Sequence, residues 1–302
     1  AAVNLPDGVS SVPTVIGPGM KSVVLTLVSS GDASLNQAAP IQIVGTAKIG
    51  DADVKVVATT EDAMKGGFNA IPWAPQNLSE HVALGVGPQP QIRLSLSAPD
   101  VVFGKQLTGK VTVKAQRAEG FNEAITLAIT PEAAKGGLPG NVTIAVKPIP
   151  KDKNEVEITF TATDKAALGE FTAAITGTIK QGNVTVTESA PGVRLKLQDP
   201  MTVALALATE TVAVGNELKA TVTVERNPAL AGEIALTFAN LPKGVTAPAA
   251  KIAADQNSVE VTLAVAADAA KGAVTNINVK GEATVGAVKL AATSANAKLT
   301  VQ

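Results

Sequence analysis

The chain of 302 residues has no cysteine and no tyrosine, one tryptophan and one histidine, and aromatic residues make up only 2% of it. Without cysteine there can be no disulfide, no thiolate nucleophile and no cysteine metal site. A Ser-His-Asp arrangement would have to use His81, which sits in Asn77-Leu78-Ser79-Glu80-His81, and a single histidine cannot supply the usual zinc ligand set. An acid pair such as Glu61 with Asp62 has no supporting context around it. The chain therefore reads as a non-enzyme. Charge of one sign is also missing: the formal net charge is −1 with Lys and Arg scattered, which gives no field to attract nucleic acid or an anionic membrane surface. No apolar run approaches the roughly 20 residues that span a bilayer, so membrane insertion is not expected. Residues 1–20 lack the charged start and apolar centre of a signal peptide.

What is present is aliphatic. Hydrophobic residues make up 46% of the chain, and with so few aromatics the cores must be built from Val, Ile, Leu and Ala. Val, Thr and Ile alternate along most of the sequence, the composition of a pleated, half-buried surface. The length exceeds what one small sandwich of about 100 residues needs, so two or three domains are expected.

Internal repetition gives the organisation. Leu5-Pro6-Asp7-Gly8-Val9 recurs as Leu138-Pro139-Gly140-Asn141-Val142 and as Leu241-Pro242-Lys243-Gly244-Val245, at intervals of 133 and 103 residues. Ile16, Ile149 and Ile252 repeat at the same intervals. Each is followed by a polar turn and an alternating strand: Val23-Val24-Leu25-Thr26-Leu27, Val156-Glu157-Ile158-Thr159-Phe160 and Val259-Glu260-Val261-Thr262-Leu263. A third landmark, Gly45-Thr46-Ala47-Lys48, Gly177-Thr178-Ile179-Lys180 and Gly281-Glu282-Ala283-Thr284, recurs at 132 and 104. The second and third repeats also share an earlier half, in which Val101-Val102-Phe103-Gly104 matches Val212-Ala213-Val214-Gly215.

A full repeat holds about seven short strands, which in the third fall near 203–208, 217–226, 232–239, 245–253, 258–266, 273–284 and 287–300. Period-two alternation broken at Pro, Gly, Asn and Asp, over about 100 residues, is the signature of a two-sheet sandwich. The fold class is all-β, with tandem immunoglobulin-like β-sandwich domains. Residues 1–60 are a partial sandwich without its N-terminal strands, 61–90 an ordered linker or interdomain loop, and 91–199 and 200–302 complete sandwiches. A partial sandwich exposes a sheet edge and half a core. Either the chain is cut from a longer protein or a neighbour donates the strands.

Gly17-Pro18-Gly19-Met20-Lys21-Ser22 has the outline of a phosphate loop, but its equivalents, Pro150 to Glu155 and Ala253 to Ser258, are strand-connecting turns without that pattern. Calcium is the one cofactor with candidates, Asp51 and Asp53 in one turn and Asp100 with Asp199 near a junction; otherwise none is expected. Trp73 and Phe68, with His81 nearby, are candidates for an interdomain or ligand contact. Sequons occur at Asn77, Asn141 and Asn183.

The order Gly104, Arg117-Ala118-Glu119-Gly120-Phe121, Ala124-Ile125-Thr126-Leu127, Leu138-Pro139-Gly140 and Gly177-Thr178 resembles the Ig-like repeats of very large secreted and envelope proteins of planctomycete-type bacteria. The third repeat echoes it in Arg226, Glu233-Ile234-Ala235-Leu236 and Asp268-Ala269-Ala270-Lys271-Gly272. The resemblance covers everything except the linker. It implies an extracellular or cell-envelope setting beside pre-peptidase C-terminal domains, and a role as spacer or shell component. The function expected is thus a structural repeat region of a surface protein of the S-layer, stalk or adhesin-shaft kind. Its partners would be further domains of a longer parent or neighbouring copies of itself. The alternative is an adhesion or carbohydrate-binding accessory region of an extracellular hydrolase, with Trp73 at the contact.

Overall fold

The computed structural model describes residues 1–33, 37–67, 79–87, 89–132 and 135–302. The chain is all-β and built of tandem sandwich repeats. It packs as two compact units, Ala1–Val101 with Lys110–Thr159 and Glu170–Leu195, and Val102–Gly109 with Phe160–Gly169 and Lys196–Gln302. Among the described residues no helix is long and apolar enough to cross a membrane.

The first repeat contributes β1 (Ala2–Val3), β2 (Val9–Ser11), β3 (Leu27–Ser29), β4 (Ala39–Ile49), β5 (Ala52–Val57), the short helix α1 (Glu61–Gly67) and β6 (Val82–Leu84). The second contributes β7 (Ile92–Leu96), β8 (Asp100–Gly104), β9 (Thr108–Arg117), β10 (Thr126–Thr130), β11 (Val142–Ala145), β12 (Glu155–Ala162), β13 (Gly169–Gln181), β14 (Val184–Ser189) and β15 (Val193–Gln198). The third contributes β16 (Met201–Leu207), β17 (Thr211–Val212), β18 (Glu217–Arg226), β19 (Ile234–Ala239), β20 (Val245–Thr246), β21 (Ala250–Ile252), β22 (Ser258–Val265), β23 (Gly272–Val285), β24 (Val288–Thr293) and β25 (Ala297–Val301).

In the third repeat one sheet runs β16-β18-β22-β20 and the other β17-β25-β23-β19-β21, with β24 also on β23. The alternation of Glu217–Arg226 turns every second residue inward, so Leu218, Ala220, Val222 and Val224 are buried while Lys219, Thr221 and Thr223 face water. The second repeat has the same two sheets, β11-β12-β9-β7 and β10-β13-β15-β8 with β14 on β13. Phe103 on β8 and Phe160 on β12, both fully buried, meet with ring centroids 6.5 Å apart.

Two turns recur because their sequences dictate them. In each Leu-Pro motif the valine N–H donates to the proline carbonyl, Val9 to Pro6, Val142 to Pro139 and Val245 to Pro242. The residue before the valine has positive φ, as Gly8, Asn141 and Gly244. That is the third position of a type II turn, where Gly or Asn is needed. The hairpins β4-β5, β13-β14 and β23-β24 each close with two residues, the first a glycine at φ near +60°: Gly50, Gly182 and Gly286. Glycine first is the type II′ pattern that suits strand twist.

The structure departs from the sequence reading in several places. Residues 245–253, read as one strand, are β20 and β21 in opposite sheets, and β17 lies outside the seven strands read. Residues 287–300 form two strands, β24 and β25, which take opposite halves of β23. The break at Ser294 is fixed by its hydroxyl, which accepts from Val279 N–H and donates to Ala295 carbonyl. Within 61–90, placed in the linker from sequence, Val82–Leu84 is a strand of the first repeat's sheet. It pairs Ile41 with Val82, as β25 pairs Ile277 with Ala297. The extra residues 58–81 thus stand inside the first repeat, where the others use only the connections 190–192 and 294–296. They include α1, whose first turn carries Glu61 and Asp62, the charge that a helix N-terminus favours. Finally, Val23 to Thr26 are not strand. Their third-repeat equivalents in β22 are held on one edge by β18, and among the described residues no strand pairs with the first repeat in that way.

Candidate functional site

An arginine organises each complete sandwich. Arg117 ends β9 and reaches the Glu123, Pro150 and Lys153 carbonyls and the Asn154 side chain, the Pro150 and Lys153 bonds at 3.1 and 3.0 Å. Arg226 ends β18 and donates to the carbonyls of Gly232 at 2.7 Å, Ala253 at 2.7 Å, Gln256 at 3.2 Å and Ile252 at 3.4 Å. In both, the guanidinium fork ties the loop that follows its own strand to a turn about 30 residues on. Carbonyls there would otherwise need water, and a planar group with five donors satisfies several at once. Sequence reading matched the two arginines but gave them no task.

The turn that receives the guanidinium is the one read as a faint phosphate loop. Lys153 N–H donates to Pro150 carbonyl, Gln256 N–H to Ala253 carbonyl and, in the first repeat, Met20 N–H to Gly17 carbonyl at 3.1 Å. Residues 1–92 contain no arginine, so this third acceptor turn is formed without the side chain that fills the other two. Ile149 and Ile252, beside those turns, are 0% exposed, whereas Ile16 is 60% exposed. The partner of Ile252 is Ile234 on β19, and the first repeat has only the end of that strand, as β1.

The sheet above tells the same story. β4 pairs as β23 does: Ile43 lies opposite Ala2 as Val279 lies opposite Phe238, and Ile49 opposite Ala52 as Val285 opposite Val288. In the third repeat Val279 and Ala283 are buried, and a Cβ on Gly281 would stand 3.0 Å from Val203 on the facing sheet. Gly177 is tighter still, with Leu94 at 2.7 Å and Ile125 at 2.9 Å. Among the described residues a Cβ on Gly45 would meet only the Val56 carbonyl of its own hairpin, at 3.8 Å. Gly45 and Ala47 are exposed, with Ile49 at 66% and Val56 at 61%. Ile41, where β6 adds its strand, is buried at 1%. On the first repeat's hairpin this face is therefore exposed among the described residues, while Gly17 and Met20 of the Gly17–Met20 turn are buried, with Gly17 against Phe171 and Glu170. Residues 12–26 are anchored to the second repeat: Val15 exchanges bonds with Thr172, and Gly192 N–H donates to the Thr26 hydroxyl at 2.8 Å.

A second feature is a cleft of about 580 Å³ lined by Val9, Leu27, Leu84, Arg93, Gln116 and Glu188 among others. Burial pushes the Glu188 carboxyl above its usual range, and the positive charge of Arg93 partly opposes this. Arg93 also donates to Gln89, which donates in turn to the Gly31 carbonyl. The cleft offers hydrogen-bonding groups to a small polar molecule. The described residues that line it with Glu188 include Arg93, Gln116 and Ser189 but no histidine, lysine or second acid.

The residues singled out from sequence are dispersed. Asp51 is exposed in the Gly50-Asp51 turn and Asp53 sits opposite Lys48 on the same hairpin. Asp100 is held by Arg194 through two contacts of 2.6 and 2.9 Å, and Asp199 lies 3.9 Å from Lys105. No group of three or more His, Cys, Asp or Glu that could hold a metal is found among the described residues. His81 is half-buried just before β6, and Glu61 and Asp62 lie on α1. Trp73 and Phe68 lie outside the described residues.

No family model matches the chain, and no curated protein matches it. Solved structures to which it is similar include the Yersinia pseudotuberculosis adhesin InvE, at 12% identity and TM-score 0.25, covering 70% of this chain and 59% of that one. Fibronectin(III)-like modules of Clostridium thermocellum CbhA share 10% identity at TM-score 0.26, over 69% of this chain and 93% of that one. Domains 4–9 of surface layer protein SbsC share 13% identity at TM-score 0.25, over 87% of this chain and 35% of that one. At such identities and TM-scores these likenesses do not say what the chain does.

Proposed function

We propose that this chain is a non-catalytic structural repeat region that spaces or stiffens a protein of the cell surface or exterior. The observation that supports the reading most directly is what the repeats repeat. The groups that recur are the type II and II′ turns, the close-packed glycines Gly177 and Gly281, and the arginine ties of Arg117 and Arg226. All of them hold sheets and loops together. The polar groups that could do chemistry, such as Glu188 and His81, do not recur: the positions across the hairpin equivalent to Glu188 are Val56 and Ala292. Chains built this way gain stability domain by domain, each with its own core.

The test is mechanical. Pulled from its two ends, the chain should give two separate unfolding events, each releasing about 35 nm for about 100 residues, and antibodies to 200–302 should label intact producing cells. A single shared event, or extension without any resisting event, contradicts the spacer role. Labelling only after cell lysis contradicts the exterior setting.

A further inference from the structure

The second and third repeats meet at the turn Gly104 to Leu107, which with everything it touches below lies in the second compact unit. The turn closes on itself, Leu107 N–H donating to the Gly104 carbonyl at 3.0 Å. It is also tied to two strand ends of the second repeat. Lys105 N–H donates to the Gln198 carbonyl at 3.1 Å and Gln106 N–H to the Ala162 carbonyl at 2.9 Å.

The same three bonds recur in the third repeat, from Asn216 to Ala213, Val214 to Gln302 and Gly215 to Val265. They align Gln106 with Gly215 and Leu107 with Asn216, at the interval that also relates Arg117 to Arg226. Gly104 thus falls opposite Ala213 rather than Gly215, its match in sequence. The third position of the turn is left-handed in both, with φ 61° at Gln106 and 81° at Gly215. The backbone is therefore one design used twice, and what differs is the side chain it presents.

Asn216 is exposed. Leu107 is 2% exposed and belongs to one core with Met201, Val203, Val222, Val224 and Leu230 of the third sandwich. The loop after β18 shapes its seat: Asn227 N–H donates to the Pro200 carbonyl at 3.0 Å and Leu230 N–H to the Asn227 carbonyl at 2.8 Å. The approach is close, since a Cβ on Gly104 would stand 3.1 Å from Pro200 Cα and 3.5 Å from Asn227 Cγ.

We infer that Leu107 is a plug by which the second repeat completes the core of the third, so that the third sandwich keeps its full stability only while the Gly104–Leu107 turn is seated on it. Turns that face water favour Asn, as at 216, and a leucine in that place gains stability only by leaving water. Because the turn hangs on Gln198 and Ala162, whatever draws those strand ends away withdraws Leu107 from the third core. Only the mechanical use of this coupling rests on the spacer reading: in a spacer, a second repeat that opens leaves the third weakened.

The test is native-state amide exchange of the full chain with Leu107 changed. Leu107→Ala leaves a cavity in the third core. Exchange at Val222 and Val279, which requires that sandwich to open, should rise at least about tenfold. Exchange at Leu127 and Ile175 of the second sandwich should rise less than about threefold. Leu107→Asn, the residue that the third repeat carries there, should act in the same direction, and Leu107→Met, which conserves volume, should keep most of the protection. Unchanged exchange at Val222 and Val279 in Leu107→Ala overturns the inference, because the third core would then be complete without this side chain. An equal rise at Leu127 and Ile175 also overturns it, since Leu107 would then serve its own sandwich. Neither result bears on the spacer reading, which pulling and the labelling of intact cells decide.

Discussion

Hairpin β4-β5 and hairpin β23-β24 are one piece of structure met twice. Each has a long strand with a central glycine, a two-residue turn opening with glycine at φ near +60°, and a partner strand in the same register. What differs lies above them. Over Gly281 stand Val203 and Ile234, while among the described residues Gly45 has only the Val56 carbonyl of its own hairpin within 4 Å. The turn and the pairing thus come from local sequence, and the burial comes from strands far away in the chain. Two hairpins with the same local code can be a core element in one place and an open surface in the other.

The comparison can be broken most sharply at the repeated isoleucines. Ile252→Ala should destabilise the third sandwich by about 2–5 kcal/mol, whereas Ile16→Ala should stay within about 0.5 kcal/mol, both read from urea unfolding. An equal loss at the two sites would mean that Ile16 has a cover. Next come the glycines. Gly281→Val forces a side chain into contacts of 3.0 and 3.2 Å and should cost about 1–3 kcal/mol. Gly45→Val should be neutral or stabilising by up to about 1 kcal/mol, since a β-branched residue replaces a glycine in an open strand. Thermal melts of the two variants side by side decide this.

The arginine tie ranks third. Arg226→Ala removes hydrogen bonds to four carbonyls and should cost about 2–3 kcal/mol. Arg226→Lys should recover only part of that, because an ammonium cannot fork across two loops. The smallest effect concerns Glu188, which stands opposite Gly177 where Val56 stands opposite Gly45. Its carboxyl is raised from 4.5 by burial, so the folded chain holds this proton to higher pH than the unfolded chain. The stability it contributes is present below the unfolded value and is lost as pH rises through the folded one. Glu188→Gln should therefore flatten the fall in melting temperature as pH rises through the carboxylate range, by less than about 2 °C for a half-buried group.

Much of the fold was legible because it is written locally and more than once. Strand 217–226 runs as the alternation indicates, and the Leu-Pro turns and hairpin glycines announce themselves by residue type. The strand Val82–Leu84 was not legible. Three residues carry no period, and the insertion 58–81 hides their tie to Ile41. The role of Arg226 was hidden for a different reason, since its partners at 232 and 252–256 meet only when β19 and β21 pair. The open face was foreseeable as a lack of strands, but which residues it bares required the registers.

The most direct measurement is native-state amide exchange of the full chain, comparing Ile43–Ile49 with Val279–Val285. If the first repeat is an uncovered scaffold, its strand exchanges at least about a hundredfold faster under the same conditions, while β23 exchanges only through unfolding of its sandwich. Equal protection of the two strands would contradict the account, because β4 would then be as fully enclosed as β23.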